Sequence, residues 1–232
     1  MSTIAAGTTS GTALVSTGNT DGTIQLQVNG TTPSVTLAAN GSIGVGSSPS
    51  YGTNGQLLTS SGTGSAPTWT TVSAGFTLGT PVNSTSGTSI DFTGIPATVK
   101  QINVMFSGIS INATTNIIVQ LGDSGGIETT GYTGTYDRQP DALFTPISLG
   151  SGFIVADFSN AAWIYNGILT INILNSTSNS WIGSLSASIT NNAQVSSSAG
   201  AKALSATLDR IRITTTSGTA AFDLGEVNIA YI

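Results

Sequence analysis

The sequence predicts an all-β protein, in which an extended N-terminal β segment precedes an antiparallel, jelly-roll-like β-sandwich. Three observations carry this prediction. Apolar and polar residues alternate with a period of two in many short runs, as they do in half-buried strands. Asn-Gly, Asp-Gly and Ser-Gly turn signals separate the runs. Charged residues make up only 6% of the chain, against roughly 25% in ordinary soluble domains.

Residues 1–72 form the first predicted segment, with no helical pattern and Asp21 as their only charged side chain. Short apolar pairs recur behind glycines at irregular intervals, which argues against a solenoid repeat. Each strand offers two or three apolar residues, too few for a core within one chain. We therefore expect copies of this segment to stack into an intertwined β stalk, with a disordered arm as the alternative. Trp69 follows a Gly/Ser-rich connector and is expected to be a local anchor before the boundary near Val72.

The low charge also predicts self-association. Strand edges are normally protected from random pairing by lysine, proline or inward charges. This chain has only five lysine and arginine residues. Pairing the edges between copies removes the problem, so we expect an obligate homo-oligomer.

Residues 73–232 form the predicted sandwich, with about eight strands at sandwich-like spacing. The final stretch, 208–232, is read as a closing hairpin that turns at Ser217-Gly218, and residues 122–150 are read as loop-like. The apolar residues change from even to odd positions around Asp209, which predicts a bulge or a strand break there.

Composition excludes several classes of function. The net charge is −5 without a basic cluster, so we expect no nucleic-acid partner. The chain has no cysteine, which excludes disulfides and thiolate metal sites, and we expect no cofactor or metal. The most apolar run, 163–174, is too short and too interrupted to span a bilayer, so no membrane insertion is expected.

Two motifs resemble catalytic sites. The run Gly122–Gly126 spells the loop around a protease nucleophile, but the chain has no histidine to act as the base, so we read a turn after a strand. Asp137 and Asp141 could form a glycosidase pair, although Arg138 between them favours a salt-bridged loop. We therefore expect no enzyme activity and no catalytic residue.

Tyr132, Tyr136 and Arg138 are the candidate residues of a recognition surface, with Trp163 behind them. Aromatic rings stack on sugars, and arginine donates paired hydrogen bonds to carboxylates. The alternative is that the tyrosines only cover a loop; Trp163 is read as a core residue.

Four segments, at residues 22–46, 52–69, 86–110 and 208–232, resemble tail-fibre and related appendage proteins of tailed bacteriophages. The resemblance implies a homotrimeric fibre located in the virion. Its N-terminal part would dock on other structural proteins of the tail, the portal region or the capsid. Its C-terminal sandwich would point outward and contact the host surface, where a cell-surface glycan is the candidate partner. No catalytic motif carries over.

The chain is short for a main tail fibre. A head fibre or a capsid decoration protein that stabilises the shell is therefore the alternative function. A glycan-degrading spike is the weaker one.

Overall fold

A computed structural model describes residues 21–28, 32–72, 75–139, 148 and 150–232, without the side chains of residues 27, 28, 32, 33, 138, 139 and 157–159. Every regular element in these ranges is a β-strand, and all strand pairs are antiparallel. The all-β prediction is thereby confirmed. The chain divides into an N-terminal unit, residues 1–74, and a C-terminal unit, residues 75–232.

The strands are, in chain order, β1 (Ile24–Val28), β2 (Thr32–Leu37), β3 (Ile43–Val45), β4 (Gln56–Thr59), β5 (Thr68–Thr71), β6 (Thr77–Leu78), β7 (Val82–Asn83), β8 (Ser89–Thr93), β9 (Gln101–Ile111), β10 (Thr115–Asp123), β11 (Gly126–Ile127), β12 (Tyr132–Gln139), β13 (Phe153–Ser159), β14 (Tyr165–Asn175), β15 (Ser180–Ile189), β16 (Gln194–Ala203), β17 (Arg210–Thr215) and β18 (Phe222–Tyr231).

The N-terminal unit contains two small sheets. Strands β1, β2 and β3 pair in that order, and β4 and β5 form a separate hairpin. The indole of Trp69 donates from Nε1 to the carbonyl of Ser50 at 2.8 Å. Its ring lies so close to Gly52 that a Cβ there would come within 2.7 Å of it. Trp69 is thus the local anchor that the sequence predicts.

The C-terminal unit consists of a small and a large sheet. In the small sheet the order is β11-β10-β17-β8, and β13 also pairs with β10. In the large sheet the order is β12-β16-β15-β14-β9-β18-β6, and β7 also pairs with β18. One hydrophobic cluster draws on both sheets, with Ile117 and Ile213 from the small sheet and Val104, Leu169 and Phe222 from the large one. This arrangement is consistent with a β-sandwich.

Three sequence predictions about this unit are wrong. Its described residues form thirteen strands, β6–β18, where the sequence predicts about eight, because two-residue strands such as β6, β7 and β11 are too short to show alternation. The stretch 208–232 is not a hairpin, because β17 pairs with β10 and β8 in the small sheet whereas β18 pairs with β9 in the large one. Alternation identifies a strand but not its partner. The region 122–150 is also not loop throughout, since it contains β11 and β12. The predicted break near Asp209 is confirmed, because residues 204–209 separate β16 from β17.

Two glycines face each other where the pairing of β9 with β18 changes register. Gly108 and Gly225 have φ angles of +66° and +88°, where side chains are disfavoured. A Cβ at Gly225 would lie 2.4 Å from the carbonyl of Gly108. The register of the pair shifts between Leu224 and Glu226, so the glycines allow a bulge in the pairing of β9 with β18.

Candidate ligand-binding groove

The predicted tyrosine pair does not lie on the surface. Tyr132 and Tyr136 are 5% and 2% exposed, because both occupy inward positions of β12. The Tyr132 hydroxyl accepts a hydrogen bond from the amide of Leu121 at 2.6 Å, and its ring meets Phe153 edge to face with centroids 5.4 Å apart. Burial raises the pKa of this hydroxyl. The prediction that these two rings form a recognition surface is therefore corrected: they are core residues.

The remaining predicted residues have other outcomes. Arg138 is part of β12 and pairs with Ser196, but its side chain is outside the described part of the structure, as is Asp141 altogether. A recognition role for Arg138 and its salt bridge with Asp137 or Asp141 stay predictions, but the expected loop is wrong at Asp137 and Arg138, which lie in β12. Trp163 is partly buried and packs against the core, as expected.

The outer face of the small sheet gathers polar side chains that the sequence analysis did not group. Ile211 and Ile213 of β17 point into the core, so Arg210, Arg212 and Thr214 point outward. Antiparallel pairing places residues of β8 and β10 beside them on the same face. The three cross-strand rows are Thr93–Arg210–Gly122, Asp91–Arg212–Gln120 and Ser89–Thr214–Ile118.

Two adjoining depressions lie on this face and together form what we call the outer groove. They enclose about 380 and 390 Å³ and share Thr129 and Arg212 in their walls. Buried Gln120 donates from Nε2 to the carbonyl of Ser151 at 2.8 Å, which holds that loop segment over β10. The two volumes fall within the range of roughly 300–1,000 Å³ that is typical of ligand sites.

Two arginine–carboxylate pairs lie at the groove: Arg212 is in the wall that the two depressions share, and Asp91 and Arg210 line the second depression. Arg212 donates from Nε and Nη2 to the two oxygens of Asp91 at 2.7 and 2.8 Å, and Arg210 does the same to Asp209 at 2.7 and 3.1 Å. These hydrogen bonds raise the pKa of each guanidinium, and the Arg210 pair lowers the pKa of Asp209. The Nη1 side of each guanidinium faces away from its carboxylate, so it can donate to a ligand.

The loop after β10 is fastened by a partly buried ionic cluster. Asp123 accepts hydrogen bonds from the Ser205 hydroxyl at 2.7 Å and the Gly125 amide at 2.8 Å, and both lower its pKa. Burial raises the pKa of Glu128, but its ion pair with Lys202 and a hydrogen bond from the Ser205 amide outweigh burial and lower it. The run Gly122–Gly126 is thus the turn that the sequence predicts, and its aspartate has a structural role. Glu128 of this ionic cluster directly precedes Thr129, which lines the groove.

Such an arrangement favours polar ligands. Hydroxyl groups of Thr93, Thr129 and Thr214 and the guanidinium edges can exchange hydrogen bonds with a polyol or a carboxylate. Within the described ranges, no group of three or more His, Cys, Asp or Glu side chains is placed to hold a metal ion. The same ranges contain no helix able to cross a membrane.

One sequence signal pointed to this face. Arg210 and Arg212 are two residues apart on a strand, so their side chains share a face, and five of the fifteen charges lie in residues 208–232. Asp91 is remote in sequence and could be joined to them only by the pairing of β8 with β17.

The chain was compared with known proteins by sequence and by structure. No protein-family model matches it, and no curated protein or solved structure shows significant similarity.

Proposed function

We propose that this chain is a structural subunit of a tailed-phage virion, a homotrimeric fibre without enzymatic activity. Residues 1–72 dock on the particle as an intertwined β stalk. The C-terminal unit is a β-sandwich that contacts the host surface. The proposal combines the resemblance of four sequence segments to phage appendage proteins with the physical character of the N-terminal unit.

One observation carries the proposal: the described residues of the N-terminal unit form almost no core of their own. Val45 is its only buried hydrophobic residue among those that the structure describes. Seven large hydrophobic side chains of the same unit are exposed: Leu26, Leu37, Ile43, Tyr51, Leu57, Leu58 and Val72. Burial of a leucine or isoleucine side chain contributes about 1.5–3 kcal/mol. Neighbouring copies that cover these side chains would supply the stabilisation that one copy lacks.

The strand edges of this unit support the same conclusion. In the three-stranded sheet, β1 and β3 are edge strands, and β4 and β5 form a hairpin of only two strands. An isolated two-stranded hairpin is at best marginally stable in water. Strands from other copies can satisfy both the open backbone groups and the apolar faces.

Host contact is assigned to the outer groove of the C-terminal unit. Its lining of threonine and serine hydroxyls with two outward-facing arginines suits a hydroxyl-rich glycan better than an apolar ligand. This surface takes the role that the sequence analysis gave to the buried tyrosines.

Immunogold electron microscopy of virions from the phage that encodes the chain tests the proposal. Antibodies against the purified protein should label fibres of intact particles, and a serum depleted on the same protein is the control. Label spread over the capsid surface would favour the decoration function. Particles without label would contradict a virion role of either kind.

A further inference from the structure

We infer that the outer face of the large sheet is a self-association surface, through which the C-terminal units of neighbouring copies pack against one another. The inference rests on the proposed oligomer and adds a specific interface to it. We call the outward surface of strands β9, β14, β15 and β16 the uncharged face.

Charge is the first observation. The only charged residue in these four strands is Lys202, which is 5% exposed and points inward to Glu128. The central row of the face reads Asn103–Thr170–Ser184–Ala199 across the four strands. The small sheet differs, because Asp91, Arg210 and Arg212 stand within three cross-strand rows of its outer face. The outer face of the small sheet therefore carries charges at its centre, whereas the four central strands of the large sheet carry none on theirs. Asp137 of β12 and Glu226 of β18, opposite Ser197 and Ser107, border the uncharged face.

Exposed apolar side chains are the second observation. Ile168, Ile182 and Val195 point outward from the uncharged face and are 37%, 42% and 60% exposed. Their cross-strand neighbours are uncharged: Met105 and Ser186 beside Ile168, Asn172 and Ala201 beside Ile182, and Ser188 beside Val195. Exposed protein surfaces usually carry charges of both signs that keep copies apart, and no such charge occurs on the outward side of these four strands.

The chemistry of the face fits a second copy of the same chain. Serine, threonine and asparagine side chains both donate and accept hydrogen bonds, so two such surfaces can satisfy each other. No charge has to be desolvated when they meet. A charged partner would find no complementary group there to fix its orientation.

The area of the face is somewhat smaller than what one partner contributes to a standard interface. Four strands spaced about 4.8 Å apart and about nine residues long cover on the order of 600 Å². Standard interfaces bury roughly 800 Å² per partner. Copies held together by their N-terminal units would meet at high effective concentration, so this area need not sustain assembly alone.

Cysteine labelling of the full-length protein tests the inference, because the natural chain has no cysteine. The variant S184C places one thiol at the centre of the uncharged face, and T93C places one at an exposed position of the small sheet's outer face. We expect maleimide to label native S184C at least tenfold more slowly than native T93C. Both variants should react equally fast in denaturant.

A second site and a mass measurement make every outcome decisive. S197C, also on the uncharged face, repeats the test on β16 should S184C fail to fold. Suppose that the protein sediments as an oligomer and that native S184C, or S197C in its place, reacts as fast as native T93C. This result would overturn the inference and leave the proposed function standing. A monomer in sedimentation would overturn both.

Discussion

The two units of this chain differ in how many of their apolar side chains they bury. Among the residues that the structure describes, 35 hydrophobic side chains are buried in the C-terminal unit and one, Val45, in the N-terminal unit. Both are built from charge-poor, antiparallel strands. The difference is that the C-terminal strands are long enough to cover one another in two sheets, while the N-terminal strands are not. A low content of charged residues therefore does not decide whether a unit forms a core of its own.

The largest effect is expected from placing charges on the apolar surface of the N-terminal unit, because we propose that this unit needs other copies to bury that surface. The double substitution Leu26→Glu and Leu57→Glu puts two carboxylates on the exposed apolar surface of the N-terminal unit. Burying an unpaired carboxylate costs several kcal/mol, so we expect loss of the oligomer, while the C-terminal unit, which has its own core, still unfolds cooperatively. Sedimentation velocity and urea denaturation measure the two effects. Leu224→Glu, at an exposed position of the C-terminal unit, is the control and should leave the oligomer intact.

Inside the C-terminal unit, we expect the ion pair of Glu128 with Lys202 to contribute to stability. Glu128→Gln leaves Lys202 buried without its carboxylate, which should lower the free energy of unfolding by about 3 kcal/mol. Replacing both residues, with Lys202→Met added, should restore most of this loss because no charge is then left buried. If the single variant unfolded at the wild-type urea concentration, the ion pair would not fasten the loop after β10.

The bulge between β9 and β18 gives a matched pair of glycine variants. Gly94 and Gly225 both have positive φ angles, but a Cβ would meet no atom within 4 Å at Gly94 and backbone at 2.4 Å at Gly225. Gly94→Ala should cost about 1 kcal/mol, the penalty of a left-handed residue. Gly225→Ala should cost at least about 2 kcal/mol more, because the strands must separate. Equal midpoints of thermal unfolding would show that this contact has no energetic weight.

Acid should weaken the C-terminal unit modestly. The pKa values of Asp123 and Glu128 are lowered in the folded protein, so the unfolded chain binds more protons as the pH falls. The stabilisation is complete above the unfolded values of about 4 and is lost as the pH drops through the lower folded values. Asp123→Asn should flatten this dependence in urea titrations between pH 5 and pH 2. An unchanged slope would mean that Asp123 does not contribute.

Sequence alone predicted the strands better than their partners. Alternation identified the inward residues of β17, and the parity change near Asp209 identified the break before it. It could not reveal that β17 and β18 belong to different sheets, because side-chain period does not encode pairing. The sequence predicts a loop surface for Tyr132 and Tyr136 because their region is rich in turn-forming residues. The structure shows that this region is strand β12, paired with β16, and that both rings point inward.

Sedimentation equilibrium of the wild-type, full-length chain tests the central claim most directly, which is that the N-terminal unit is completed by other copies. We predict a mass three times the 23.2 kDa of one chain, maintained on dilution to low micromolar concentration. A stable, folded protein with the mass of a single chain would contradict it.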